Sequence, residues 1–331
     1  MPTTAFGESG RLSFSKGIQK LAMPFGNIAI GFEQDGFLDA RRLPPLLFAR
    51  ARTMTADTHE TAPTQYVEAN GIRFAYRRFG KAGGVPIVFN QHYTGTMDYW
   101  DPAVTDGLAQ TREVILFDNA GVSSSSGATP TSFQEMGANV IAFIRALGLS
   151  QVDVLGISIG GFVAQETALQ GGNLVRKIIL VGTGHRGMDM TLSRSAEFFA
   201  GSYDPPEHLW LDVHFKNTGT SRKAGLAFLE RKWRRKDRDP EVSEQTIAAQ
   251  GEAVGKWISP EADSLAYLKS IKQPVLVVQG SDDAIIPTVH SLTLQQNLPD
   301  AQLIIYPDSG HGSIYQYPEL FVAEATLFLD N

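Results

Sequence analysis

The 331-residue sequence contains no cysteine. That absence excludes a disulfide framework, thiolate metal sites and a cysteine nucleophile together. Long apolar runs are missing too: no stretch approaches the roughly 18 uncharged apolar residues that a membrane helix needs. Positive charge is not in excess. Lysine and arginine number 29 against 35 aspartates and glutamates, a formal net charge of −6, whereas a nucleic-acid partner usually requires a basic face. No H-E-x-x-H or comparable ligand cluster occurs, so no metal is expected. A secretory signal is also absent, because Glu8, Arg11 and Lys16 interrupt any apolar segment at the N-terminus. Cytoplasmic residence, with neither membrane nor nucleic acid as partner, is the expectation by elimination.

What is present is an apolar share of 43% and a charged share of 19%, the composition of a globular chain able to bury a large core. Residues 1–63 show short apolar pieces without sustained periodicity and end in the polar stretch MTADTHETAPTQ. They read as an appendage, poorly ordered and with no legible function, and Met54 as an alternative start. From Tyr66 the pattern sharpens. YVEANGIRFAYRRFG is two alternating strands joined by Asn70-Gly71, a strong hairpin signal. Apolar strands follow at 85–90, 112–118, 152–157, 177–182, 274–280 and 301–307, with helical segments between them such as 133–147 and 160–169. Strands alternating with helices imply right-handed crossovers and an α/β fold, a mostly parallel central sheet with helices on both faces. Between 182 and 273 the strand signal stops and the sequence is helix-compatible, rich in Trp, Phe, Arg and Lys. A core of 64–184 and 266–331, carrying a helical lid at 185–265, is the economical organisation.

Gly156-Ile157-Ser158-Ile159-Gly160 matches G-x-S-x-G. By composition alone a chain of this length shows that pattern about one time in ten, so its context decides. An apolar strand precedes it and a helix follows, the setting in which a tight turn presents a serine above a sheet edge. A serine hydroxyl needs a base, and the base needs an orienting carboxylate. QGSDDAIIP places Asp282 and Asp283 just after one apolar strand, and YPDSGHGSIYQYP places His311 in a loop after the last. All three motifs fall at the carboxyl ends of strands, where open α/β sheets bind ligands.

In these motifs and their order the chain resembles the α/β-hydrolase superfamily over residues 64–331. The resemblance assigns the catalytic acid to Asp283, three residues after Gly280 and four before Pro287, with Asp282 as the alternative. It implies a triad of Ser158, Asp283 and His311, and an oxyanion hole built from two backbone N–H groups. One belongs to Ile159. The other comes from the loop after strand 85–90, where the family's His-Gly pair is replaced by Gln91-His92. Tyr93 is then the donor, or Thr94 if His92 itself is the family histidine. The function implied is a cofactor-independent serine hydrolase acting on a small, apolar ester or lactone. Haloperoxidase-like perhydrolysis, C–C bond hydrolysis, cyanohydrin cleavage and a triad-bearing ligand receptor are the alternatives.

Four other features take blander readings. Asp118, in FDNAGVSSSSG, is a loop anchor. His92 braces its loop. His185 is a candidate substrate contact, though without motif support. The basic run LERKWRRKDRD at 229–239 reads as the solvated face of a lid helix, with Leu229 and Trp233 turned inward as an i,i+4 pair.

Overall fold

The computed structural model describes residues 57–204 and 207–331. The expected appendage therefore lies outside the described residues as far as 56, and Met54 with it. Residues 57–63 belong to the folded body instead. His59 and Ala62 are buried, the His59 N–H donates to Asp106 at 2.7 Å, and the Arg235 guanidinium donates to the carbonyls of His59, Glu60 and Ala62. Two isolated inward residues in a polar stretch leave no periodic signal, so composition placed this boundary too late.

Eight strands form one sheet: β1 (Gln65–Ala69), β2 (Ile72–Gly80), β3 (Ile87–Asn90), β4 (Glu113–Phe117), β5 (Val152–Ile157), β6 (Val175–Val181), β7 (Val275–Gly280) and β8 (Ala301–Tyr306). Their spatial order is β1-β2-β4-β3-β5-β6-β7-β8. β1 and β2 pair antiparallel through the Asn70-Gly71 turn, and β2 is antiparallel to β4. Every other pairing is parallel. Asn70 and Gly71 both take positive φ, which is what a tight hairpin turn demands of them.

The helices of the core are α1 (Pro102–Ala109), α2 (Phe133–Ala146) and α3 (Ile159–Gly171). After β6 come four inserted helices: α4 (Ser195–Phe199), α5 (His208–His214), α6 (Gly219–Lys232) and α7 (Glu244–Ile258). The chain then completes the sheet and adds α8 (Val289–Asn297), α9 (Ser313–Gln316) and α10 (Pro318–Asp330). Successive strand residues face opposite sides, and two separate cores result. Val88, Val154 and Ile178 pack with Phe143 and Ile144 of α2 and Phe162 of α3. Ile87, Phe89, Leu155 and Ile179 pack with Val104 and Leu108 of α1 and Phe321 and Leu329 of α10. Burial on both faces explains why β3, β5 and β7 are apolar almost without interruption.

The basic run at 229–239 departs from its expected form. α6 ends at Lys232, with Trp233 as its C-cap, so the following residues leave the helical period. Trp233 is 39% exposed, whereas Lys232 and Arg235 are buried. Lys232 Nζ sits over the faces of Tyr99, Trp210 and Trp233 at 3.7, 4.1 and 4.1 Å. Beyond the helix, Asp239 joins Arg77 of β2 and Asp98 in a buried ionic group, with Arg235 3.7 Å from Asp98. The run ties the insertion to the core.

Candidate active site

Ser158 stands between the last residue of β5 and the first of α3. Its backbone is at φ 56, ψ −124, a conformation that costs a non-glycine residue about 1–3 kcal/mol and persists only where the surroundings hold it. They do. The Ser158 N–H donates to the Val181 carbonyl at 2.9 Å, and the Ser158 carbonyl accepts from Gly161 N–H at 2.9 Å and Thr183 Oγ1 at 2.8 Å. The glycines of the motif are steric requirements. A Cβ on Gly156 would run into the Gly160 backbone, one on Gly160 into the Asn90 carbonyl, and one on Gly161 into the Thr183 side chain.

Asp283 follows β7 and is buried. Its Oδ1 accepts the N–H groups of Ile285 and Ile286 at 2.8 and 3.0 Å, which fixes the carboxylate. Its Oδ2 accepts from His311 Nδ1 at 2.7 Å, leaving the other ring nitrogen free of this pairing. Asp282 points elsewhere: its side chain is 54% exposed and bound to Lys216 at 2.7 Å. The His311 ring lies against Gly182, where an added Cβ would be 3.2 Å from Nδ1. Gly182 adjoins Val181, the residue that receives the Ser158 N–H. Ser158 and His311 thus both lie at the carboxyl end of β6. Among the described residues Ser158 Oγ makes no hydrogen bond to His311; such bonds are often long in unliganded sites and tighten with substrate.

The loop after β3 is the third component. Thr94 N–H donates to Gln250 Oε1 of α7 at 2.8 Å, while Tyr93 N–H meets no protein acceptor among the described residues. Ile159 opens α3, so its N–H has no partner within the helix. His92 Nδ1–H donates to the Tyr93 carbonyl at 2.9 Å, and burial pushes its pKa down to about 3, so it braces the loop as a neutral ring. Asp118 Oδ1 accepts the Met97 N–H at 2.9 Å, as a loop anchor should. Burial raises its carboxyl well above the usual range.

Sequence comparison gives this arrangement its setting. Residues 85–318 match the alpha/beta hydrolase fold family. The chain belongs to that family. A solved alpha/beta hydrolase fold protein from Chitinophaga pinensis is 43% identical, with a TM-score of 0.77, covering 83% of this chain and 100% of that one. The pimeloyl-(acyl-carrier protein) methyl ester esterase of Nitrosomonas europaea is 30% identical over 236 residues, which is 68% of this chain and 87% of the esterase. BpoC of Mycobacterium tuberculosis, provisionally named a non-heme bromoperoxidase, is 28% identical over 75% of this chain and 94% of its own.

The chain carries a close neighbour of His311 that the sequence did not announce. His214 ends α5, and its ring lies 5.8 Å from that of His311 and 5.5 Å from that of His92. Its carbonyl accepts the Gly312 N–H at 2.8 Å, and a Cβ on Gly312 would sit 2.7 Å from His214 Cβ. The glycines that flank His311 in the sequence did not name this partner. Burial holds the His214 pKa well below the usual histidine value, and Nδ1–H donates to the Trp210 carbonyl at 3.1 Å. His185 is not brought into this group: its Nδ1–H donates to the Arg186 carbonyl and its ring faces His290 at 5.3 Å. Of the inserted aromatics, Phe228 stacks on Tyr315 and Trp257 on Phe162, while Phe199 is exposed. Phe198, Val213 and Phe215 line a cavity of about 380 Å³ together with Arg194, Asp212, Lys216, Arg222 and Asp282, and neither Ser158 nor His311 is in its wall.

Proposed function

We propose that this protein is a serine hydrolase that cleaves a carboxylic ester or lactone through an acyl-enzyme. The observation that carries the reading is the 2.7 Å pairing of His311 with Asp283, at the same carboxyl edge of the sheet as a serine held at positive φ. Ser158 Oγ attacks the carbonyl carbon as its proton passes to His311 Nε2. The carbonyl electron pair moves onto oxygen, where the Ile159 and Tyr93 N–H groups stabilise it. Collapse breaks the ester bond, and the departing alkoxide takes the proton from His311. Water then attacks the acyl-enzyme, giving a proton to His311 as it does so, and the carboxylic acid leaves as Ser158 recovers its hydrogen. No metal or organic cofactor enters these steps.

The inserted helices act as a lid. Supporting this are the contacts of α5 with the His311 loop and of α7 with the Tyr93–Thr94 loop. Phe117, Met136, Ile159 and Val163 line a small cleft beside His92 and Gln250, and these apolar walls favour a small, largely apolar substrate. The esterase name of the Nitrosomonas relative agrees with this chemistry.

A second reading is favoured by the name of the BpoC relative: hydrogen peroxide attacks the acyl-enzyme in place of water and a peracid leaves. A fluorophosphonate probe separates the serine readings from a non-covalent ligand receptor. It should label the wild-type chain at Ser158 and fail on Ser158→Ala. Multiple turnover of p-nitrophenyl esters or lactones then supports the hydrolase. Activity seen only with peroxide and a carboxylic acid moves the assignment to perhydrolysis, and absence of labelling defeats both.

A further inference from the structure

Thr94 is a β-branched residue at φ 58, a conformation that such residues rarely adopt unless something imposes it. Two contacts impose it, both from α7. Gln250 Oε1 accepts the Thr94 N–H at 2.8 Å, and the Tyr93 hydroxyl donates to the Ile247 carbonyl at 3.0 Å. Residues 247 and 250 are three apart and share one helix face. The loop is otherwise tight: Gly95 N–H bonds to the His92 carbonyl at 3.0 Å, and a Cβ on Gly95 would collide with the Gln91 side chain. The loop also begins against the N-terminus of α3, where Gly160 leaves room for the Asn90 carbonyl. One helix of the insertion therefore reaches the two residues that compete to be the second oxyanion donor, and it treats them differently. It occupies the N–H of Thr94 and leaves that of Tyr93 without a protein acceptor.

We infer that Gln250 is a positioning residue for the oxyanion hole: by capturing Thr94 N–H it holds the strained turn that presents Tyr93 N–H to the developing oxyanion. Without that acceptor Thr94 relaxes toward negative φ, and the peptides on either side rotate with it. Gln250 lines the cleft beside Ile159 but is neither the nucleophile nor one of the two backbone donors. Its effect passes through the backbone, so it belongs to the transition state and not to ground-state binding. The insertion then has a second role besides roofing the site, since a displaced α7 leaves the hole unformed. This inference rests on the hydrolase reading above.

The test compares Gln250→Leu, which removes the acceptor, with Gln250→Glu, which keeps an oxygen at the same reach. Gln250→Asn, too short to reach Thr94, stands in if the leucine variant does not fold. Removing an oxyanion donor outright costs about 10²–10³ in kcat, and a displaced donor is expected to cost about 30- to 100-fold. The expected pattern is that loss in kcat for Leu and Asn, KM within about threefold of wild type, and most activity retained by Glu. Affinity for a trifluoromethyl ketone, which becomes a tetrahedral oxyanion on Ser158, should fall in parallel with kcat. Unchanged kcat, a rise confined to KM, or a Glu variant as impaired as Leu overturns the inference. Ser158→Ala, assayed alongside, keeps the two failures apart. If that variant retains activity the hydrolase reading itself is wrong, whereas its inactivity beside a fully active Gln250→Leu defeats only the positioning role.

Discussion

Asp283 Oδ2 receives the His311 Nδ1–H at 2.7 Å, while the carboxylate one residue earlier in the chain turns outward to Lys216. Two adjacent aspartates are thereby separated into different jobs. Asp283→Asn should lower kcat/KM for p-nitrophenyl acetate by about 10⁴, because an amide no longer fixes the imidazole tautomer. Asp282→Asn should stay within about threefold of wild type. The reverse ranking would move the acid by one position.

Strain at Ser158 separates stability from activity. Ser158→Ala should lose roughly 10⁴-fold or more in kcat with little change in thermal midpoint, since alanine meets the same penalty at φ 56. Ser158→Gly should be equally inactive yet more stable, by about 0.5–1 kcal/mol, because glycine adopts positive φ freely. Calorimetry on the three proteins checks the order.

Three of the buried histidines, His59, His92 and His214, set an acid limit on stability. Burial pushes the pKa values of His59 and His92 down to about 3 and that of His214 well below the ordinary value. Unfolded histidines bind protons below pH about 6.5, while these folded ones do not until far lower. The unfolded state therefore binds more protons in that window, and stability rises with pH through it and levels off above. On lowering pH below 6.5 each contributes a loss of about 1.4 kcal/mol per pH unit. Urea unfolding midpoints at pH 5.0–7.5 should show this slope, and His92→Gln should make it shallower by about one proton.

Lys232 and Arg235 are both buried basic side chains in the same run, yet they should respond differently to replacement by methionine. The Lys232 amine has no hydrogen-bond partner among the described residues and packs against three ring faces. Burial pulls its pKa down to about 6. Methionine keeps that packing, so Lys232→Met should change stability by less than about 1 kcal/mol. Arg235→Met strands the carbonyls of Glu60 and Ala62, each 2.9 Å from Nη1, and should cost about 3 kcal/mol. Equal destabilisation by the two changes would contradict this account.

How far these features could be read in advance depended on whether their causes were local. The turn at Ser158 was legible because Gly156 and Gly160 answer a steric demand within five residues. The strands were legible because sheet burial on both faces forces apolar runs, and β3 starts at Ile87, after Pro86, which has no N–H to offer a ladder. Preference for Asp283 over Asp282 came from resemblance to a family pattern; composition could not separate two neighbouring aspartates. The burial of Arg235 was misread because the helix stops at Lys232, and a helical period carried past that point assigns faces that do not exist; Lys232 itself is buried because Tyr99 and Trp210, distant in sequence, cover its amine. Gln250 and His214 left no trace at all. Each acts on a loop far away in sequence, and an ordinary glutamine or histidine on a helix announces no such partner.

β6 and β7 lie side by side in the sheet, although about ninety residues separate them in the chain. For the sheet, everything between is a closed loop, and lengthening a loop from about ten residues to about ninety costs only about 2 kcal/mol in closure entropy. The insertion is thus cheap to exchange. Recombination could replace α4 to α7 wholesale without disturbing a single strand register. What a transplanted cap would have to reproduce is its set of polar ties, among them a carbonyl for Gly312, acceptors for Thr94 and the Tyr93 hydroxyl, a carboxylate for Arg77 and a guanidinium for the carbonyls of His59, Glu60 and Ala62. Those attachment points, more than the helices between them, are the inheritable part of the cap.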